Sequence, residues 1–201
     1  SDDIGTDIAS NLKIDRFDSD LTSSPGDSVD VRFARLKKQY GNFYNRFIDD
    51  IIHINFGDST VLLMEFQRFL NDPDFNEVNN AVRDTFRDIS GPEKTISSAL
   101  GRYKQYFPEK TTPRLITFVS LFNYGIICTD SVLGIGLDMY LGSQSKYYPA
   151  LGFPSFKIRK MRKEYIPADA IHAWVDSDFD PEGTNHDFLT HMIHQGKVRY
   201  L

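Results

Sequence analysis

The chain is predicted to fold as an α+β protein, with a helix-rich N-terminal half, a small central sheet of about three to four strands, and C-terminal helices packed on that sheet. Three observations predict this class. Apolar residues recur at three- and four-residue spacing through residues 29–107, which is typical of amphipathic helices. Residues 113–142 are rich in β-branched and aromatic side chains, which favour strands. Helical spacing returns in residues 143–201.

The N-terminal segment, residues 1–10, is predicted to be a flexible tether. It carries three Asp, no basic residue and only two large apolar side chains, which are too few to offset the entropy lost on ordering. The remaining residues, 11–201, are expected to form a single α+β domain. That domain would open with a short strand or ordered arm, because Leu12, Ile14 and Phe17 alternate with polar residues.

Four apolar stripes predict the helices of the N-terminal half. They cover residues 36–52, 62–70, 78–89 and 96–107. Gly41 lies within the first stripe and is expected to bend or split that helix. The fourth helix is expected to begin at Ser90, because Glu93 stands at the three-residue spacing of a capping box and Pro92 is tolerated in a first turn.

The central sheet is predicted from three short segments. Residues 115–122 and 126–129 are expected to pair as a hairpin, because the turn-forming residues 123–125 join them. Residues 132–141 would add a third strand, giving a small antiparallel or mixed sheet. Further helices are expected to begin near Pro167 and at Thr184.

Three glycines mark the last of these strand segments. Gly134, Gly136 and Gly142 surround one carboxylate, Asp138, and the density of glycine indicates unusual backbone angles or close backbone approach. We expect Gly136 and Gly142 to hold the loop geometry around Asp138. The segment is not a dinucleotide motif, because a non-glycine residue occupies the third glycine position and no βαβ pattern surrounds it.

Composition restricts the classes of function. The net charge of −5 gives no electrostatic support for nucleic-acid binding. A single cysteine, Cys128, excludes an internal disulfide framework. No apolar run reaches transmembrane length. The chain begins at Ser1 without methionine and ends at residues 197–201 without a helix-stop signal, so we expect a piece of a longer protein, truncated at its C-terminus.

One segment is strongly basic, with five cations in the seven residues 157–163. It would suit a phosphate-bearing surface, an anionic lipid head group or an acidic partner, or it is a solvated helix face. A pocket near Asp138 and Tyr140 would instead suit a small molecule. The candidate ligand or partner surface therefore comprises Asp138, Tyr140, Tyr147, Tyr148, Lys157, Arg159 and Lys160.

The sequence offers no convincing catalytic, cofactor-binding or metal-binding set. His191 and His194 are three residues apart and would share a helix face. In a His-Glu-x-x-His zinc motif the second histidine stands four positions after the first, and a glutamate directly follows the first, where this chain has Met192. We therefore expect no catalytic residue, no metal and no cofactor.

Several segments resemble the gliding motility-associated lipoprotein family GldB. Residues 136–142, Gly-Leu-Asp-Met-Tyr-Leu-Gly, followed by Tyr-Tyr-Pro at 147–149, carry the main resemblance. Residues 15–18, 107–113, 120–123 and 192–200 are similar to further family segments in the same order. The resemblance implies a non-enzymatic, lipid-anchored protein of the Bacteroidota cell envelope that faces the periplasm. It implies partners in the gliding machinery or its associated secretion apparatus, and an anchor cysteine upstream of Ser1.

A more distant similarity links this layout to gluzincin-type metallopeptidases. It would place the zinc helix near residues 165–175, which offer only His172. A later ligand position would be occupied by Gln195 before Gly196, an amide where a carboxylate is needed. The alternative function is therefore a zinc metallopeptidase-like hydrolase, or its catalytically inactive relative.

Overall fold

A mixed sheet of four strands forms the centre of the fold. The computed structural model describes residues 12–24, 26–54, 57–178 and 196. The strands are β1 (Ile14–Arg16), β2 (Arg114–Phe118), β3 (Ile126–Cys128) and β4 (Val132–Gly136). Their order across the sheet is β1-β2-β4-β3. The pairs β1–β2 and β2–β4 are parallel, and β3 runs antiparallel to β4 at the edge.

Helices surround this sheet, as the sequence predicts. They are α1 (Phe17–Thr22), α2 (Val29–Tyr40), α3 (Asn42–Arg46), α4 (Ser59–Leu70), α5 (Pro73–Thr85), α6 (Ser90–Tyr106), α7 (Tyr147–Ala150), α8 (Ser155–Ile158) and α9 (Ile166–Asp178). A π-helical turn follows α3, and 3₁₀ turns cover Leu137–Tyr140 and Lys163–Tyr165. Helix α9 packs against α6 and against strands β3 and β4. The α+β class is confirmed.

Local sequence signals set several helix boundaries. Gly41 has φ +52°, a backbone angle that favours glycine, and it separates α2 from α3 as expected. Asp72 caps α5, where its carboxylate accepts hydrogen bonds from the backbone N–H groups of Asp74 and Phe75, both at 2.9 Å. Pro73 occupies the first position of α5, which needs no N–H donor.

The main core is aromatic and joins the sheet to the N-terminal helices. The fully buried ring of Phe17 meets four rings edge-on, with centroid distances of 4.9 Å to Tyr40, 5.3 Å to Phe43, 6.2 Å to Tyr44 and 4.7 Å to Phe47. Phe43 in turn packs on Phe118 of β2, with ring centroids 6.0 Å apart. The short α1 and the π-helical turn are therefore held against the sheet through side-chain rings.

The expected hairpin between residues 115–122 and 126–129 is wrong. Strand β2 pairs in parallel with β1 and β4, whereas β3 pairs with β4. The physical reason is burial. The side chains of Leu115 to Val119 are all buried, which is typical of a central strand covered on both faces, whereas β3 is only half-buried and suits an edge.

Two other local expectations need correction. The third strand segment ends at Gly136 rather than at residue 141, because a 3₁₀ turn follows it. The helix predicted at Ser90 does begin there, but Glu93 does not close a capping box. Its carboxylate instead accepts hydrogen bonds from the Ile14 backbone N–H at 2.8 Å and from Lys13 at 3.2 Å, which ties β1 to α6.

Some expectations fall outside the described residues. These are the tether at residues 1–10, the helix from residue 184, and the pair His191 and His194. The predicted N-terminal strand is confirmed as β1, although Phe17 already belongs to α1. Among the helices that the structure describes, none combines the length and the apolar character required to span a bilayer.

Candidate functional site

The carboxyl ends of the three parallel strands meet at one edge of the sheet. Each of these strands is followed within two residues by a buried polar side chain, which is Asp18 after β1, Ser120 after β2 and Asp138 after β4. In open sheets of parallel strands this edge is the usual place for binding sites. Two carboxylates are therefore buried at the edge where a site is expected, and each needs partners that offset its desolvation.

Asp138 obtains its partners from the loop that follows β2. One carboxylate oxygen accepts a hydrogen bond from the Ser120 backbone N–H at 3.2 Å. The other accepts from the Phe122 backbone N–H and lies 3.2 Å from the Ser120 hydroxyl. Burial raises the pKa of Asp138 to about 6, while the hydrogen bonds from Phe122 and Ser120 oppose that rise.

These hydrogen bonds hold an unusual backbone conformation. Leu121 has φ 55° and Phe122 has φ 68°, so two successive residues with side chains adopt the left-handed region. Each such residue costs on the order of 1 kcal/mol, and the surrounding contacts must offset that cost. The Ser120 hydroxyl oxygen adds support by accepting from the N–H groups of Asn123 at 3.1 Å and Tyr124 at 3.0 Å.

Tyr148 connects helix α7 to the 3₁₀ turn that contains Asp138. Its buried hydroxyl donates a hydrogen bond to the Asp138 carbonyl oxygen at 2.9 Å and accepts one from the Leu141 N–H at 2.7 Å. Burial is the main cause that raises the pKa of Tyr148, so this hydroxyl keeps its proton. The residues around Asp138 thus position both the loop after β2 and the helix α7.

Between that loop and α7 lies a groove of about 310 Å³. Helix α5 forms its third wall. The residues that line the groove are Asp74, Glu77, Val78, Leu121, Phe122, Tyr147, Ala150 and Leu151. The rings of Phe122 and Tyr147 are 5.3 Å apart, and Leu151 is 56% exposed. The groove is therefore an apolar slot whose two strained residues are held in place by Asp138.

A polar contact closes one side of this groove. Glu77 of α5 accepts a hydrogen bond from the Tyr147 hydroxyl at 3.0 Å, and the Lys146 ammonium lies 2.7 Å from the same carboxylate oxygen. These bonds lower the pKa of Glu77, with Lys146 as the largest cause. Glu77 is therefore ionised at neutral pH and fixes α7 beside α5.

The structure separates the seven candidate surface residues into three groups by their burial. Asp138, Tyr140 and Tyr148 are buried and shape the fold beneath the surface, and the Tyr140 hydroxyl donates to Asp169 of α9 at 3.0 Å. Tyr147 is half-buried and lines the groove. The remaining three candidates are exposed on or just after α8, and they are Lys157, Arg159 and Lys160.

Sequence reasoning did not single out Leu121, Phe122 or Leu151, which form much of the groove. Nothing in the sequence signals a left-handed backbone at two bulky residues, since glycine and asparagine are the usual markers. The sequence hinted at a turn here, through the resemblance of residues 120–123 to a family segment and through the residue types at its ends. Ser120 and Asn123 flank them, and both residue types form side-chain-to-backbone hydrogen bonds in turns.

The buried Asp138 predicts a specific pH dependence. Its pKa of about 6 lies above the value of about 3.9 in an unfolded chain, so folded protein takes up this proton first as the pH falls. The contribution of the Asp138 carboxyl to the free energy of unfolding is therefore fully present below about pH 4. It is lost as the pH rises through about 6. We expect Asp138→Asn to cost roughly 2 kcal/mol more, relative to the unsubstituted chain, at about pH 4 than at pH 7.

Urea unfolding of both proteins at each pH measures this difference. Comparison at the same pH cancels the contribution of every other titrating group. A difference in unfolding free energy that stays constant across the range would show that Asp138 has the same pKa in the folded and unfolded states.

The residues that could bind a metal are few in the described part of the chain. No group of three or more His, Cys, Asp or Glu side chains is arranged there to hold a metal ion. His172 lies on α9 and is exposed. Cys128 is half-buried, and burial raises the pKa of its thiol to about 11. His191, His194 and Gln195 lie outside the described residues.

The fold and the groove define an α+β domain with a preformed apolar slot at its surface, a feature that suits a binding protein. A family model described as gliding motility protein GldB matches residues 1–201, the whole chain. The chain therefore belongs to the GldB family. Searches of curated proteins and of solved structures found no match. Membership implies a role in gliding motility, and the family's lipoprotein character suggests the cell envelope.

Proposed function

We propose that this chain is the folded part of a non-enzymatic lipoprotein that is anchored to the cell envelope and faces the periplasm. It serves gliding motility and the associated secretion apparatus by binding other envelope proteins. Membership of the GldB family supports the role in gliding motility, and the groove beside Leu151 is the observation that supports the binding of another protein.

The size and chemistry of the groove favour a protein partner. A volume of about 310 Å³ is at the lower end for a small-molecule site, but it accommodates one or two anchoring side chains. The rings of Phe122 and Tyr147 provide apolar walls, and the carboxylates of Asp74 and Glu77 lie at the α5 side. A partner segment with a large apolar residue next to a lysine or arginine would complement both.

The groove is also suited to binding because its walls are fixed before a partner arrives. Asp138 holds the backbone of Phe122, and Tyr148 holds α7 to the same turn. A preformed surface loses little conformational entropy on association, so more of the contact energy remains as affinity. Leu151, whose side chain is more than half exposed, would be covered by the partner.

The experiment is complementation of a deletion strain of a gliding bacterium with the Leu151→Glu variant. We expect normal abundance but lost or strongly reduced gliding, because a carboxylate would have to be desolvated inside an apolar contact. Met64→Glu is the matched control. Met64 is 66% exposed on α4, so the same chemical change is made on an apolar residue that does not line the groove.

Three results would contradict the proposal. Normal gliding of the Leu151→Glu strain would show that the groove is not used. An equal loss of gliding in the Leu151→Glu and Met64→Glu strains would show that the effect is not specific to the groove. Stoichiometric zinc in the purified protein, together with peptide hydrolysis, would replace the proposal with the zinc hydrolase that the distant gluzincin similarity implies.

A further inference from the structure

The basic segment, residues 157–163, concentrates positive charge at the protein surface. Its five cations are Lys157, Arg159, Lys160, Arg162 and Lys163, and all five are exposed. None of them forms a salt bridge with another described residue, whereas cations such as Lys13, Arg35 and Arg114 do. The chain as a whole has a net charge of −5, so the basic segment carries charge of the opposite sign to that of the whole protein.

The segment is held in position at both of its ends. At one end the ring of Phe153 packs edge-on against Tyr148, with centroids 5.9 Å apart, and the Lys157 ammonium lies 5.0 Å from the Phe153 ring centroid. At the other end Met161 is buried, and its carbonyl oxygen accepts a hydrogen bond from the Gly142 N–H at 2.9 Å. The charges therefore belong to a fixed surface rather than to a disordered tail.

An exposed aromatic ring accompanies these charges. Phe156 lies on α8 directly before Lys157 and is 67% exposed, which leaves most of its ring in water. An aromatic ring beside lysine and arginine is the pattern of interfacial membrane contacts, in which the ring enters the head-group region and the cations meet lipid phosphates. An acidic protein would complement the charge but would not require an exposed ring.

We propose that α8 and the basic segment form a docking surface for an anionic phospholipid bilayer. Phe156 inserts at the level of the head groups, and the five cations bind the lipid phosphates. The inference rests on the proposed function only in that a lipid anchor would keep this domain beside a bilayer. With the domain held there, a basic surface would add electrostatic attraction to the lipid phosphates and orient the domain on the bilayer.

Vesicle binding tests the docking surface without the anchor. The chain is mixed with phosphatidylcholine vesicles that contain about one third phosphatidylglycerol, and with vesicles of phosphatidylcholine alone. We expect binding to the anionic vesicles only, weakening as added salt shortens the Debye length below about 10 Å. The Lys157→Glu/Lys160→Glu double variant should bind at least about tenfold more weakly, because each cation contributes about fivefold.

Matched variants separate a local surface from general electrostatics. Lys37→Glu/Lys38→Glu makes the same change in net charge on exposed residues of α2 and should leave binding unaffected. The Phe156→Trp variant should show a blue-shifted emission with anionic vesicles only, because the single native tryptophan, Trp174, is buried.

Several results would overturn the inference. These are no binding to anionic vesicles at low salt, equal loss in the two double variants, or unchanged Phe156→Trp emission. Binding to polyglutamate with no binding to vesicles would identify an acidic protein as the partner instead. Failure of this assay leaves the groove and its gliding test unaffected, because Leu151→Glu changes none of the five cations.

Discussion

Replacing Gly136 with alanine is expected to lower the free energy of unfolding by about 3 kcal/mol or more, an effect at the upper end for overpacking. A Cβ atom at this position would lie 2.0 Å from the Tyr124 carbonyl oxygen and 3.1 Å from its carbonyl carbon. Both atoms belong to the backbone, and the Gly136 N–H also donates to the Gly125 carbonyl oxygen at 2.7 Å. The clash can therefore be relieved only if strand β4 and the loop that contains Tyr124 move apart.

Gly134 provides the matched control for this prediction. It lies two residues earlier in β4, but an added Cβ would meet the side chain of Ile127, with Cγ1 at 2.5 Å. A side chain can change rotamer, so we expect Gly134→Ala to cost only about 1–2 kcal/mol. The additional substitution Ile127→Ala should relieve the clash at 134, whereas Tyr124→Ala should not relieve the clash at 136.

Urea unfolding curves of these variants measure the effects. Equal losses of stability for Gly134→Ala and Gly136→Ala would show that the approach to Tyr124 is not a backbone constraint.

Gly142 is restricted to glycine for another reason. Its φ is +106° and nothing lies within 4 Å of an added Cβ, so a substitution there would be resisted by backbone strain alone.

The second large effect is expected at Arg16, where Arg16→Met should cost about 3 kcal/mol or more. Asp18 is fully buried, and Arg16 binds both of its carboxylate oxygens, with Nε at 3.0 Å and Nη2 at 2.7 Å. The Thr117 hydroxyl of β2 donates to the same carboxylate. Removing the guanidinium leaves a buried charge without its counter-charge, which is far more costly than losing an exposed ion pair.

A double variant distinguishes this mechanism from a general loss of packing. In Arg16→Met/Asp18→Asn the buried charge is also removed, so we expect it to be more stable than Arg16→Met alone. Arg87→Met breaks the Arg87–Asp84 pair, which has the same 2.7 Å distance but is exposed, and it should have no measurable effect. If the double variant is less stable than the single one, buried charge is not the cause.

Helix positions could be predicted from the sequence because their signals are local. Apolar spacing, the start signal at Ser90 and the glycine at 41 each act within a few residues, and α2 to α6 appear where these signals indicate. Strand order could not be predicted in the same way. Strand β2 pairs with Ile14 to Arg16, about a hundred residues away, and no local pattern specifies that partner.

The candidate site, like the fold, could be predicted from the sequence only in part. The glycine segment and its single carboxylate directed attention to Asp138, and the cations of the basic segment were recognised from composition. The groove itself was not predicted, because its walls come from α5, the loop after β2 and α7. Burial also could not be read from residue type, since tyrosine and aspartate are more often at least partly exposed than buried.

By itself the sequence determined the α+β class, the helices α2 to α6, the family resemblance and the glycine segment around Asp138. These follow from periodicity, composition and short motifs, which depend on neighbours along the chain. The tertiary structure alone decided that Asp138 and Tyr148 are buried supports, and that the left-handed Leu121 and Phe122 line a groove. The physical reason is that burial and hydrogen-bond pairing depend on residues brought together from distant parts of the chain.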